Sequence, residues 1–141
     1  MSILRARVVV AGEPSVGKTS LIHNVTKGSF NHNYHMTQGC EYNVKEVPME
    51  TKSYERVELH MIDIGGQNIF KEVAFEVMGK ANLVMLVYDV TNPDSFHLLR
   101  NWLDGIKQAN PGKNLTGVVV ANKIDLDNRM AVGPQDGMAF A

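Results

Sequence analysis

Apolar runs alternate with amphipathic segments along the chain. Residues 7–11, four apolar residues after Arg7, predict a buried strand, and the runs at 81–90 and 115–124 are longer and continuously apolar, as in central parallel strands that are buried on both faces of a sheet. Residues 41–47 and 56–63 alternate polar and apolar side chains, which predicts two half-exposed strands paired as a hairpin.

Two segments between these predicted strands have the pattern of helices. Residues 19–26 directly follow a glycine-rich loop, and residues 92–112 predict one longer helix that opens at an Asn-Pro pair and ends at a Pro-Gly pair. The apolar stripe of the longer helix is Phe96, Leu99, Leu103 and Ile106, and Trp102 is interpreted with Phe96 as a packing residue. Strands separated by helices predict a single three-layer α/β domain over residues 1–141, with a mostly parallel sheet.

Composition and charge narrow the function classes. The chain has 141 residues, of which 44% are hydrophobic and 21% charged, and this is ordinary for one globular domain. A formal net charge of -1 gives no electrostatic reason to expect nucleic acid or an anionic membrane as a partner. Cys40 is the only cysteine, which excludes an intrachain disulfide and fits a reducing, cytoplasmic compartment. No cysteine lies near residue 141, so we expect no prenyl lipid anchor in this chain.

The segment GEPSVGKT, residues 12–19, has the spacing of a phosphate-binding P-loop. Its glycines let successive backbone N–H groups point into one cavity, and the helix that follows adds its positive end. We expect the Lys18 ammonium to reach the β- and γ-phosphates of a nucleotide and the Thr19 hydroxyl to ligate Mg²⁺. The alternative is a chance glycine-rich turn, which the preceding strand and the following helix argue against. The predicted phosphate-binding residues are Gly12, Pro14, Ser15, Val16, Gly17, Lys18, Thr19 and Ser20.

A second motif, NKID, selects the base. Asn122, Lys123 and Asp125 follow a buried strand, at the edge where open α/β sheets bind ligands. The Asp125 carboxylate can accept hydrogen bonds from N1–H and the 2-amino group of guanine, a pair of donors that adenine lacks. Asn122 can bond the base edge and brace the P-loop, and the aliphatic part of Lys123 can cover the purine face. These residues predict GTP or GDP as the ligand. The alternatives are an ordinary capped surface loop, which the P-loop argues against, and an ATP-dependent P-loop enzyme, which Asp125 argues against.

Four further residues are placed to sense and cleave a γ-phosphate. Asp63 ends a predicted strand, where it can hold Mg²⁺ through a water, and the backbone N–H of Gly66 can meet the γ-phosphate. Gln67 can orient an attacking water. Thr37, in the polar loop before the second predicted strand, can close over Mg²⁺ when the γ-phosphate is present. The predicted metal ligands are Thr19, Thr37 and, through a water, Asp63.

The order of these motifs resembles the Ras superfamily of small GTPases, and the resemblance covers essentially the whole chain. TQGCEY and VYDVTNPDSFHLLRNWL are most similar to its Rab branch, and shorter segments such as RVELHMID resemble the Rab-like GTPases of intraflagellar transport. The resemblance implies a guanine-nucleotide switch that binds GTP or GDP with Mg²⁺ and hydrolyses GTP, with Gln67 and Lys18 as catalytic residues. It also implies that Thr37 and Gly66 contact the γ-phosphate and that their loops relax after hydrolysis.

The same resemblance implies partners. Exchange proteins, activating proteins and effectors are expected at residues 28–42 and 63–80. No arginine lies between Gly28 and Cys40, so we expect slow intrinsic hydrolysis and a fast rate only with a partner. The intraflagellar resemblance implies a heterodimer with a small β-sandwich protein, intraflagellar transport protein 25, in a larger complex of the cilium or flagellum. It leaves open a second function, a nucleotide-loaded structural subunit with little hydrolysis. Gln67 favours the switch, whereas the absence of a lipid signal and of the family's last helix before residue 141 favours the subunit.

Three features depart from the family pattern. Pro14 has no N–H and cannot donate to a phosphate, and its ring could crowd Gln67. Ile64 and Gly65 replace the usual Thr-Ala before the glycine, which we expect to loosen that turn. The family's last strand, base-contacting loop and final helix have no counterpart before residue 141. We therefore expect either a truncated form or a partner that covers the sheet face left exposed.

Overall fold

A five-stranded sheet lies at the centre of the structure, a computed structural model that describes residues 2–28, 40–65 and 71–141, with the backbone alone for 71–74. The strands are β1 (Ile3–Ala11), β2 (Cys40–Pro48), β3 (Arg56–Ile64), β4 (Leu83–Asp89) and β5 (Thr116–Asn122). Their spatial order is β2-β3-β1-β4-β5, and β2 pairs antiparallel with β3 while the other pairings are parallel. The predicted hairpin and the mostly parallel α/β sheet are both confirmed.

Helices cover the two faces of this sheet. They are α1 (Lys18–Lys27), α2 (Lys71–Met78), α3 (Pro93–His97), α4 (Leu99–Ala109) and α5 (Pro134–Phe140), with a short 3-10 helix at Asp127–Arg129. Ile22 of α1 packs on one face of the sheet, against a small cluster of buried side chains: Val8, Val10, Val16, Met61 and Val87. The larger cluster lies on the other face and includes Met78 of α2 and Leu99 and Ile106 of α4. None of the helices in the described ranges is long and apolar enough to cross a membrane.

The single helix predicted over residues 92–112 is wrong, because the structure divides it at Leu98 into α3 and α4. The Asn92 side chain caps α3 by accepting a hydrogen bond from the Asp94 N–H at 3.1 Å, as the Asn-Pro start suggested. The buried Ser95 hydroxyl accepts from the Asp89 N–H at 3.0 Å. This bond ties α3 to the end of β4, whereas the apolar stripe of α4 enters the core. The two segments are therefore anchored to different parts of the sheet.

One buried side chain, Asn110, joins the ends of three elements. Its Nδ2 donates to the carbonyl oxygens of Met78 and Ile106, at 2.8 Å each. Its Oδ1 accepts from the Ala81 N–H at 3.0 Å. Each of these backbone groups would otherwise lack a partner at an element end, so Asn110 fixes α4 to α2 and to the chain entering β4.

The register of the strands brings the predicted site residues to one edge. Asp63 lies beside Val10 in the β1–β3 pairing, and Asn122 lies beside Asp89 in the β4–β5 pairing. The carboxyl ends of the four parallel strands β1, β3, β4 and β5 therefore lie at one edge of the sheet, next to the loop that follows β1. Since β1 has its parallel neighbours on opposite sides, this loop leaves the sheet where the strand order reverses, which is where such sheets bind ligands.

Candidate functional site

The loop from Gly12 to Gly17 joins β1 to α1 and fits closely against β4. A Cβ atom on Gly12 would lie 2.2 Å from the carbonyl oxygen of Val87, so the close approach of the two backbones requires glycine there. Pro14 precedes Ser15, which has a φ of 66°. A proline followed by a residue with positive φ is the pattern of a type II turn, so Pro14 has a place in this loop as a turn former.

Lys18, the first residue of α1, is the buried charge of the loop. Its side chain turns back, and Nζ donates to the carbonyl oxygens of Gly12 at 2.9 Å and Glu13 at 2.8 Å. Lys18 is only 6% exposed. Burial lowers the pKa of this ammonium, and the negative charges of Asp63 and Glu13 oppose that shift. The loop thus holds a cation among backbone groups, next to the N-terminus of a helix, and this combination attracts anions.

Thr19 and Asp63 meet beside the loop. The Thr19 hydroxyl donates to the Asp63 carboxylate, and the Asp63 side chain is fully buried at the end of β3. Oxygen ligands of this kind suit Mg²⁺, which usually keeps several waters and takes one or two protein ligands together with phosphate oxygens. Among the side chains that the structure describes, no group of three or more from His, Cys, Asp or Glu could hold a metal ion. The residues present fit a magnesium ion that is bound mainly through a nucleotide.

The end of β5 is fastened to the same loop. The Asn122 amide donates to the Val16 carbonyl at 2.7 Å. Lys123 has a φ of 65°, and its Nζ donates to the Ser15 carbonyl at 2.8 Å. The NKID segment and the P-loop are therefore neighbours in space, although more than 100 residues separate them in the chain.

Asp89, which sequence reasoning missed, completes this arrangement. Its carboxylate lies 2.9 Å from the Lys123 ammonium. Burial raises the pKa of Asp89, but hydrogen bonds from Lys123 and Thr91 outweigh that effect and keep the pKa below its ordinary value. Its position in the sequence could have identified Asp89, because Asp89, like Asp63, lies at the carboxyl end of a buried strand. Asp125 lies exposed in the turn that follows, which a hydrogen bond from Leu126 N–H to the Lys123 carbonyl closes at 3.0 Å.

The structure thus brings together the predicted residues of the P-loop, the NKID segment and Asp63. Ser20 lies in the first turn of α1. Thr37, Gly66 and Gln67 fall outside the described residues, and their roles stay predictions.

Comparisons with known proteins agree with these motifs. The sequence profile described as "Ras family" matches residues 7–141. A human protein named "Intraflagellar transport protein 27 homolog" is 38% identical over 140 residues, which is 98% of this chain and 75% of that protein. The homolog of the same name from Trypanosoma brucei brucei is 31% identical over 98% of this chain and 74% of its own length. "Ras-related protein Rab-21" of Geodia cydonium is 33% identical over 98% of this chain and 58% of its own length.

Gly17 offers a test of the brace between the two loops. A Cβ atom on Gly17 would lie 2.3 Å from Asn122 Nδ2, so Gly17→Ala must displace the amide that holds Val16. We expect the affinity for fluorescent GDP to fall about tenfold or more, which corresponds to the loss of roughly one buried hydrogen bond. Equilibrium titration of the nucleotide measures this.

Gly28→Ala is the matched control for that variant. Gly28 also has a positive φ, 65°, but a Cβ atom there would meet nothing within 4 Å. Both variants place a side chain at a residue with positive φ, although the strain is larger at Gly17, whose φ is 97°, and only the first variant disturbs Asn122. Equal GDP affinities for the two variants would show that the brace does not matter for binding.

Proposed function

The chain belongs to the Ras family of small GTPases, and on that premise we propose that its nucleotide site is formed by residues 12–20 together with Asn122, Lys123 and Asp125. The observation that carries the proposal is the pair of hydrogen bonds from Asn122 to Val16 and from Lys123 to Ser15. These bonds join the end of β5 to the loop of residues 12–17, which supports a base-reading segment next to a phosphate-binding loop.

In this site, the phosphates lie in the loop and the base lies over Lys123. The Lys18 ammonium and the N-terminus of α1 supply positive charge for the phosphate oxygens. Lys123 Nζ is held by Ser15 and Asp89, so its aliphatic stem is fixed in place as one wall for the purine. Asp125 is exposed at the next turn and free to accept from the N1–H and 2-amino donors of guanine.

Only a few side chains of the chain itself take part in the proposed hydrolysis of GTP. Thr19 and Thr37 would hold Mg²⁺ directly and Asp63 through a water, and the ion would supply positive charge for the phosphate oxygens. Lys18 steadies the transferred group, and Gln67 orients the attacking water. Since no arginine lies between Gly28 and Cys40, the intrinsic rate is slow, and a partner that supplies an arginine accelerates it about 10³- to 10⁵-fold.

The names of the relatives point to the process that this switch serves. Proteins named for intraflagellar transport match 98% of the chain. The proposed role is therefore in transport along a cilium or flagellum, with regulators and effectors contacting residues 28–42 and 63–80. The proposed structural partner is intraflagellar transport protein 25, in a heterodimer within a larger complex.

Base selection is tested with Asp125→Asn. The amide presents a donor toward the 2-amino group of guanine and removes the charge that accepts two hydrogen bonds. We expect GDP to bind about 10- to 100-fold more weakly, with the gap between GDP and ADP reduced. Competition of unlabelled GDP and ADP against a fluorescent guanine nucleotide measures both effects.

Asp127→Asn, which changes an exposed neighbour of Asp125, is the control. Unchanged guanine preference in Asp125→Asn would show that Asp125 does not read the base and would contradict the proposal, whereas tighter binding of ADP than of GDP by the unaltered protein would favour an ATP-dependent enzyme.

Catalysis is tested with Gln67→Ala. The variant removes the group that orients water but leaves the phosphate loop intact, so single-turnover phosphate release should slow about tenfold or more while GDP affinity holds. Gln108→Ala, on the exposed side of α4, should behave like the unaltered protein. A release rate in Gln67→Ala equal to that of Gln108→Ala would remove Gln67 from the reaction. Release at tens per second without any partner, in the unaltered protein, would contradict the slow intrinsic rate.

The role in transport is tested by recovery of the β-sandwich partner. Purified chain loaded with GDP, or with a GTP analogue that resists hydrolysis, is incubated with intraflagellar transport protein 25. We expect binding in both states, because a heterodimer partner that serves as scaffold need not sense the γ-phosphate. No recovery in either state would contradict the proposed heterodimer, and recovery in one state alone would make the partner an effector.

A further inference from the structure

Trp102 reaches from α4 to the phosphate loop. It is the only tryptophan of the chain, and its indole Nε1 donates to Glu13 Oε1 at 2.9 Å. The rest of the ring is partly buried against the core between α4 and the sheet. The pattern of apolar positions on this helix accounts for the packing of the ring, but it gives no reason for the polar contact with a residue 89 positions away.

Glu13 lies in the phosphate loop, where a negative charge is unfavourable for binding an anion. It follows Gly12 directly, and its backbone carbonyl is one of the two oxygens that accept from Lys18 Nζ. Its side chain carries a negative charge in a loop whose ligand is itself an anion. Like charges within a few ångströms repel strongly where water is partly excluded, so an unrestrained carboxylate here would weaken phosphate binding.

The support for Trp102 is rigid. Leu99 and Ile106, three residues before and four residues after it on α4, are completely buried. Asn110 fastens the end of the same helix to Met78 and Ala81. An indole N–H held on such a helix gives the Glu13 carboxylate one fixed partner, and a hydrogen bond to a charged acceptor is among the stronger ones in proteins.

We propose that Trp102 is a positioning residue of the nucleotide site, which holds the Glu13 carboxylate on the α4 side of the phosphate loop and so keeps it from repelling the bound phosphates. The contact also fixes the Glu13 backbone, whose carbonyl steadies Lys18. This inference rests on the proposed nucleotide site, and it assigns a specific part of the affinity to a residue on a helix that does not touch the ligand.

The test is a double-mutant cycle on GDP dissociation. Trp102→Phe keeps an aromatic ring in the core and deletes the N–H. In the chain with Glu13, we expect it to speed the release of fluorescent GDP about 5- to 10-fold, since the freed carboxylate can then repel the bound phosphates. In a Glu13→Gln background, the released side chain is neutral, and the same change should alter release less than about twofold. Equal acceleration in both backgrounds would show that Trp102 acts by packing alone and would overturn the proposal.

The contact itself is measured in the intact chain, without altering Trp102. Because the chain has a single tryptophan, ¹⁵N labelling gives one indole resonance. We expect that resonance to move on Glu13→Gln and to stay in place on Asp104→Asn, which removes an exposed carboxylate two residues away on α4. An indole resonance indifferent to Glu13→Gln would overturn the proposal even if Trp102→Phe failed to fold. If the unaltered protein bound no GDP while the resonance moved as expected, the proposed nucleotide site would fail and the contact would stand.

Discussion

The buried ammonium of Lys18 is the interaction on which the rest of the site depends. A charge that is 6% exposed needs polar partners, and here the backbone carbonyls of Gly12 and Glu13 supply them. Those two oxygens can converge on one nitrogen only if the chain curls sharply after β1. The curl in turn presses Gly12 against the Val87 carbonyl, where no side chain fits. The glycine, the turn and the lysine are consequences of one requirement, that a cation be held in a low-dielectric loop.

The surrounding elements keep this loop in shape from three sides. Asn122 and Lys123 fasten it from the end of β5, and Trp102 fastens it from α4. Asp63 adds a carboxylate from β3 through its contact with Thr19. Each contact joins segments far apart in the chain, so the loop is positioned by the tertiary structure and not by its own sequence alone. A local change in any of these helices or strands therefore reaches the phosphate-binding residues.

The sequence was most informative where the signal is local. Buried parallel strands are continuous apolar runs, and the P-loop has a fixed spacing, so β4 and residues 12–19 could be predicted without a structure. The strand β5 was also predicted, but its expected burial on both faces is wrong, because β5 lies at the edge of the described sheet and Thr116, Gly117 and Val118 are exposed. The prediction of β1 began too late, at residue 7, because Arg5 and Arg7 break up the apolar pattern before Val8. Arg5 pairs with Glu58 on β3 at 3.0 Å, and β1 extends back to Ile3. The division of the helix at Leu98 and the pairing of Asp89 with Lys123 depend on contacts between elements, and neither has a signature in the residues nearby.

Ser15 and Lys123 have left-handed backbones, with φ of 66° and 65°, and the Lys123 ammonium donates to the Ser15 carbonyl. Such conformations cost roughly 1–2 kcal/mol for a residue with a side chain, and here the cost is met when the chain folds. The Lys123–Ser15 contact joins the two loops within the chain itself, so a ligand need not supply that part of the ordering cost. Because the folded chain binds the nucleotide, nucleotide binding in turn stabilises the fold. At a nucleotide concentration 100 times the dissociation constant, binding adds about 2.7 kcal/mol to the free energy of unfolding. For a domain of this size that is a substantial part of the total, so the guanine nucleotide pool of the cell helps to decide how much of the chain is folded.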